Sequence, residues 1–249
     1  MGVKRPAGND HSAMSAFTLP SDYARVRSVA SFKELLSTPF ADGVNALYWE
    51  RTLAGDFAGV MRKLALTGGI TPLEDGMFEE ISWSPACQVA VEAMLGDLRL
   101  LRQHGLLPEL NGISGYERDE DTGLLRTDVY SFHADSATDE ADTWLCTYLG
   151  PSSEVLRNDQ ARRHVDDPAQ RALLLKDYGG ADDSGFLEYL ADYCYDLHYA
   201  PLPDACPFSL GLGNLWRIAV DYPGSPVPPC IHRAPENLPG SAPRLLLIA

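Results

Sequence analysis

No stretch of the 249 residues stays apolar for the roughly 20 positions needed to cross a bilayer, and residues 1 to 15 lack the apolar segment of a signal peptide. The expectation is a cytoplasmic protein with no membrane partner. Cysteine is sparse, with five residues, an odd number, and no CxxC pair, which fits reduced thiols better than a disulfide framework. Basic clusters are also missing apart from Arg162-Arg163, and the formal charge of −15 repels phosphate backbones, so nucleic acid is excluded as an expected partner. There is no internal repeat and no low-complexity tract.

The composition, 45% apolar and 22% charged, is that of a folded protein, and the length can bury a large core. We read residues 1–16, rich in small polar and charged residues, as a loose tail and 17–249 as one domain. Within it, 17–110 reads as a mainly helical support layer. Ser31-Phe-Lys-Glu34 is a capping box, and Val44 to Trp49 has the composition of a strand. Phe57, Val60, Met61 and Leu64 recur at helical spacing ahead of Gly68-Gly69, and Ser84-Pro85 opens a long helix that runs to about His104. His104 reads as a surface residue favoured by the helix dipole.

From about residue 111 the texture changes to short strands. Candidates are Gly112 to Tyr116, Leu124 to Phe132, Thr143 to Leu149, Phe208 to Val220, Cys230 to His232 and Arg244 to Ala249, separated by clusters such as Asp119 to Gly123 and Tyr222 to Pro226. A helical insertion, about 159–200, interrupts them. It holds one helix starting at Asp167-Pro168 and a second marked by Phe186, Leu190, Tyr193 and Leu197. The fold class expected is α+β with a mainly β core.

The chemistry concentrates in Thr127 to Asp135. A strand turns alternate side chains to one side, so His133 and Asp135 project together. With His232 they would make two imidazoles and one carboxylate, the arrangement with open positions that non-haem Fe(II) oxygenases use to admit substrate and O₂. A second HxD, His164-Val-Asp166, lies in a polar run ahead of a helix start, where Asp166 and Asp167 are natural caps. Cys230 sits two before His232 and reads as packing rather than a ligand. Arg244, on the last strand, offers a planar fork for a carboxylate, and Tyr116, Tyr130 and Tyr148 could each add a hydroxyl to the same pocket.

His133-x-Asp135, His232 and then Arg244, on short strands behind a helical segment, resemble the iron(II)/2-oxoglutarate-dependent oxygenases across about residues 110–249. That resemblance implies a double-stranded β-helix, a jelly-roll of the cupin type. It implies Fe(II) on His133, Asp135 and His232, with 2-oxoglutarate as co-substrate held by Arg244. The implied reaction is oxidative decarboxylation of 2-oxoglutarate coupled to oxidation of a substrate C–H bond, by default hydroxylation of a small molecule such as an amino acid or related metabolite. Phe132 to Asp135, Leu145 to Pro151, His232 to Pro235 and Arg244 to Leu247 further resemble an uncharacterised bacterial family with FHxD, LCTYxGP, HRxP and RLLL motifs. The chain departs from that pattern at Tyr130-Ser131, where the family has Cys-Pro, and at Trp216 to Asp221, where it has a lysine-containing strand. Two other readings share the ligand set. A zinc hydrolase would need a general base that no HExxH helix supplies here, and a metal-binding protein without catalysis needs no more than the ligands.

Overall fold

The computed structural model describes residues 17–66, 68–116, 123–236 and 242–249. The expected tail at 1–16 and most of the acidic turn beginning at Asp119 lie outside the described residues.

Short strands assemble into two sheets. The larger has seven strands in the order β1 (Val26–Val29), β2 (Ala46–Trp49), β11 (Leu215–Ala219), β6 (Asp142–Leu149), β13 (Arg244–Ile248), β4 (Glu109–Ile113) and β3 (Ile70–Pro72). Only β1 and β2 pair in parallel; the other pairs are antiparallel. The smaller has six antiparallel strands in the order β10 (Phe208–Ser209), β7 (Glu154–Leu156), β12 (Ile231–Arg233), β5 (Phe132–His133), β9 (His198–Pro201) and β8 (Ala161–Arg163).

Alternation along β6 sorts the core. Trp144, Cys146 and Tyr148 face the helices, while Leu145 faces inward with Ile113, Trp216, Ile218 and Leu246. Successive residues of β13 divide likewise, Leu245 and Leu247 toward the helices and Leu246 inward. A residue facing the helices from one of these strands is therefore remote from the space enclosed by the sheets.

Capping chemistry sets the helices. Ser31 Oγ accepts from the Glu34 N–H at 3.2 Å and Glu34 Oε2 accepts from the Ala30 N–H at 2.9 Å, opening α1 (Phe32–Ser37). Asp56 caps α2 (Phe57–Leu64) through the Gly59 N–H at 2.7 Å. This helix stops at Ala65, which takes a left-handed φ of 49°, and not at Gly68-Gly69 as the sequence suggests. The chain must reverse there because Leu66 packs directly over Gly112 of the sheet. After the short α3 (Asp75–Glu79), Ser84 caps α4 (Pro85–Gln103), which buries Ala90, Val91, Met94, Asp97, Leu98 and Leu101 against the larger sheet.

Three sequence expectations need correction. Residues 17–110 hold α1 to α4 as a layer on the larger sheet, but the segment is not helical alone, because β1, β2 and β3 leave it to extend that sheet. β1 and β3 are edge strands of four and three residues, too short for a periodicity to mark them. The strand expected from Leu124 to Phe132 contracts to Phe132–His133, since Asp128 Oδ1 accepts from the N–H groups of Tyr130 and Ser131 and holds the chain in a turn. In the insertion, α5 (Pro168–Tyr178) is capped by Asp167 as expected, but α6 (Ser184–Asp192) ends before Tyr193 and Leu197. The insertion packs its own small core of Val165, Leu174, Phe186, Leu190 and Tyr195.

Candidate metal centre

Strand register brings the distant ligands together. β12 and β5 pair so that His232 stands directly opposite His133, and directly opposed residues on antiparallel strands project to the same side. The ring centroids are 4.7 Å apart. Asp135 follows two residues after His133, with its Oδ1 3.8 Å from His133 Nε2 and its Oδ2 3.7 Å from His232 Nε2. One donor atom from each of the three lies within 4.8 Å of the others, a group that could hold a metal ion. Neighbouring ligands 2.1 Å from one ion stand roughly 3.0 Å apart, so small side-chain rotations close the set.

The surroundings aim these donors. His133 Nδ1 lies 2.8 Å from the Ser131 carbonyl and His232 Nδ1 3.3 Å from the Cys230 carbonyl, so both rings donate on that side and keep Nε2 as a lone pair facing the centre. The Thr143 hydroxyl donates to Asp135 Oδ2 at 2.5 Å, and the Asp221 N–H donates to the Asp135 carbonyl at 2.7 Å. Burial and then the neighbouring His232 lower the pKa of His133, opposed by the Ser131 carbonyl, Asp135 and Asp128. Burial raises that of Asp135, but His232, the Thr143 hydrogen bond and His133 outweigh it, and the net direction is down. A neutral imidazole and an ionised carboxylate are the forms that ligate a metal.

A chamber of about 260 Å³ opens between the sheets beside this cluster, with mostly apolar walls that include Ile70, Ile113, Val129, Leu145, Leu246 and Ile248. Arg244 also lines it and is 5% exposed. Its Nη1 donates to Tyr116 Oη at 2.8 Å and its Nη2 to Ser153 Oγ at 3.0 Å, while Nε is buried without a partner. No carboxylate among the described residues forms an ion pair with it, and burial lowers its pKa. Gly150 makes this placement possible. It has a φ of +81°, and a Cβ there would collide with the Pro243 carbonyl and stand 3.1 Å from Arg244 Cα.

The tyrosines expected to join the pocket separate. Tyr116 lines the chamber and its hydroxyl meets Arg244. Tyr130 stands behind it, ring edge to face at 5.6 Å, with its hydroxyl 3.4 Å from the Tyr116 N–H. Tyr148 lies on the opposite face of the larger sheet, stacked on Phe57 and donating to Asp97 at 2.7 Å. Its place in the pocket is corrected: β6 shows odd-numbered Thr143 and Leu145 to the interior and even-numbered residues to the helices. Asp166 pairs with Arg163 at 3.0 Å, and neither it nor His164 belongs to the cluster. Cys230 is not part of it either; burial pushes its thiol up to about 12. Sequence reasoning missed Thr143 and Ser153, whose roles depend on which strand faces them.

It also missed His198. Strand pairing sets His198 directly opposite His133 on the side away from His232, with ring centroids 5.5 Å apart. It is 4% exposed and its Nδ1 has no partner. Burial, then His133 and His164, push its pKa down to about 3. An unfolded histidine protonates near 6.5, so between about 6.5 and 3 the unfolded chain binds the extra proton and stability falls as pH drops. The expected slope from this group is on the order of 1 kcal/mol per pH unit. Urea midpoints at pH 7, 6 and 5 check it: His198→Phe should flatten the decline, and an unchanged slope would remove His198 as its source.

No protein-family profile, curated protein or solved structure matches the chain.

Proposed function

We propose that this chain is an Fe(II)- and 2-oxoglutarate-dependent oxygenase on a double-stranded β-helix, oxidising a C–H bond of a small molecule. The strand succession supports the fold reading. Chain order alternates between the sheets through β4, β5, β6 and β7, and again through β10, β11, β12 and β13, a succession of four antiparallel strands in each sheet that supports a jelly-roll. The other strands extend its edges.

The observation that carries the functional reading is Arg244. A buried guanidinium without an acidic partner among the described residues is costly, and here it shares a chamber with two histidines and an aspartate set to bind metal. A dicarboxylic co-substrate would resolve that cost at one end while its other end reached the metal. When bound, Fe(II) supplies the coupling in which R–H, O₂ and 2-oxoglutarate become R–OH, succinate and CO₂. The protein's part is positional. Arg244 offers further N–H groups, and the hydroxyls of Tyr116 and Ser153, already accepting from it, can donate their own hydrogens to the same carboxylate. The apolar walls keep the remaining space dry and hold the substrate carbon beside the open face of the triad.

Anaerobic addition of Fe(II) and then 2-oxoglutarate, followed by visible absorbance, tests this reading through the charge-transfer band that joint binding produces. Charge-assisted hydrogen bonds are worth roughly 1.5 to 3 kcal/mol each, so Arg244→Met should weaken 2-oxoglutarate by about tenfold to several hundredfold with Fe(II) affinity nearly unchanged. Arg244→Lys should recover part, keeping the charge without the fork. If Arg244→Met leaves 2-oxoglutarate affinity intact, the co-substrate assignment fails. Zinc-dependent hydrolysis, or metal binding without O₂ consumption, would replace the oxygenase with one of the other two readings.

A further inference from the structure

The chamber does not end at the metal ligands. A second cavity of about 630 Å³ adjoins it, bounded by Gly68 and Gly69 on one side and by Thr127 and Asp128 on the other. Ile70, Tyr116 and Val129 line both, so the two form one passage with a narrow apolar inner part and a wider outer part. Among the described residues around the outer cavity, Asp128 is the one acidic or basic side chain. It sits near the ligands, since it accepts from the N–H of Ser131, the residue whose carbonyl meets His133 Nδ1.

Asp128 is oriented rather than loose. Its Oδ1 accepts from the Tyr130 N–H at 3.1 Å and the Ser131 N–H at 3.2 Å, which fixes the plane of the carboxylate. Its Oδ2 accepts no hydrogen bond from the described residues, and no lysine or arginine among them pairs with it. A half-buried carboxylate held in this way, with one oxygen left over among the described residues, selects a cation and repels an anion. Arg244, at the inner end, has the opposite preference. The outer cavity thus carries a carboxylate, the chamber beyond it holds Arg244 and the metal ligands, and Ile70 and Val129 lie along both.

We propose that the outer cavity binds a substrate bearing a cationic nitrogen on an aliphatic chain, with Asp128 pairing with the nitrogen and the chain lying along Ile70 and Val129 toward the metal. Asp128 is a specificity-determining residue in this account. The assignment of the chain's end as the oxidised carbon rests on the oxygenase reading; the recognition of an aliphatic cation by the passage does not.

Calorimetry on the metal-free full-length protein separates the two. The probes are n-hexylammonium, n-hexanol and n-hexanoate. Hexylammonium should bind at least tenfold more tightly than hexanol, and hexanoate most weakly. Asp128→Asn retains an Oδ1 acceptor for the Tyr130 and Ser131 N–H groups and removes the charge. It should weaken hexylammonium about tenfold and leave hexanol unchanged. Thr127→Lys, on the exposed wall of the same cavity, should give the same pattern by supplying an internal cation, and it serves should Asp128→Asn disturb the turn. Asp139→Asn removes an exposed charge outside the passage and controls for general attraction to a chain of net charge −15. Equal weakening by Asp139→Asn, unchanged hexylammonium affinity in both Asp128→Asn and Thr127→Lys, or hexanoate binding as tightly as hexylammonium would overturn the proposal. Asp128-dependent amine binding without 2-oxoglutarate consumption, after Fe(II) and O₂ are supplied, would uphold the cation site and overturn the oxygenase. Consumption of 2-oxoglutarate with amine binding indifferent to Asp128 would do the reverse.

Discussion

Asp135→Ala is expected to lower metal affinity by two to three orders of magnitude, and His133→Ala and His232→Ala by similar factors. Four-ligand sites bind with roughly 10 to 16 kcal/mol, so one ligand of a small set accounts for about 2.5 to 4 kcal/mol, or on the order of 10²–10³ in affinity. Asp135 carries the additional burden of being the cluster's one negative charge. Its side chain is 33% exposed, and its removal opens no cavity in the main core, so thermal stability without metal should change little. Thr143→Val, which leaves Asp135 in place but unaimed, should cost a smaller factor of about 10 to 100. Competition with a chromophoric chelator measures all of these, with His164→Ala as the control outside the cluster. Wild-type affinity in Asp135→Ala would dismantle the metal centre and the function built on it.

Asp97→Ala is expected to cost about 3 to 5 kcal/mol of folding stability without touching the chamber. Asp97 projects from α4 into the face of the larger sheet, where Arg51 grips it with bonds of 2.7 and 2.9 Å and Tyr148 donates at 2.7 Å. Both charged side chains are less than a tenth exposed. Desolvation offsets much of the attraction within such a pair, so its net worth is small, but removing one partner leaves Arg51 buried and uncompensated. For a chain of this length the loss should lower Tm by roughly 6–20 °C, read by circular dichroism. Replacing both, Asp97→Leu with Arg51→Met, should recover most of it. A double variant as unstable as Asp97→Ala would mean that packing, and not the stranded charge, sets the cost.

The Asp97 network shows where the sequence stops being legible. Tyr148 offers an apolar ring and a hydroxyl that suit a ligand pocket as well as a helix interface. Alternation along β6 tells that Tyr148 and Leu145 face opposite ways, but not which way is inward. That depends on where α4 packs, and on charges at Arg51 and Asp97 whose pairing is not written locally. His198 has the same history. As an isolated histidine outside any HxD spacing it carries no signal, and it gains a place beside His133 only through the β5–β9 register.

Whatever depends on neighbours within a turn or a few strand residues is legible along the chain. The caps at Ser31, Ser84 and Asp167 act over three residues, and His133 and Asp135 share a side because a strand repeats every two. The tertiary structure alone decided what depends on pairing across the chain. It set His232 opposite His133, turned the Arg244 end of β13 into the chamber, drew β1 to β3 into the larger sheet, and put Tyr148 against α4. The physical reason is that register and sheet facing are fixed by the total burial of both sheets, and a one-residue slip would exchange inside for outside along a whole strand while leaving every local signal unchanged.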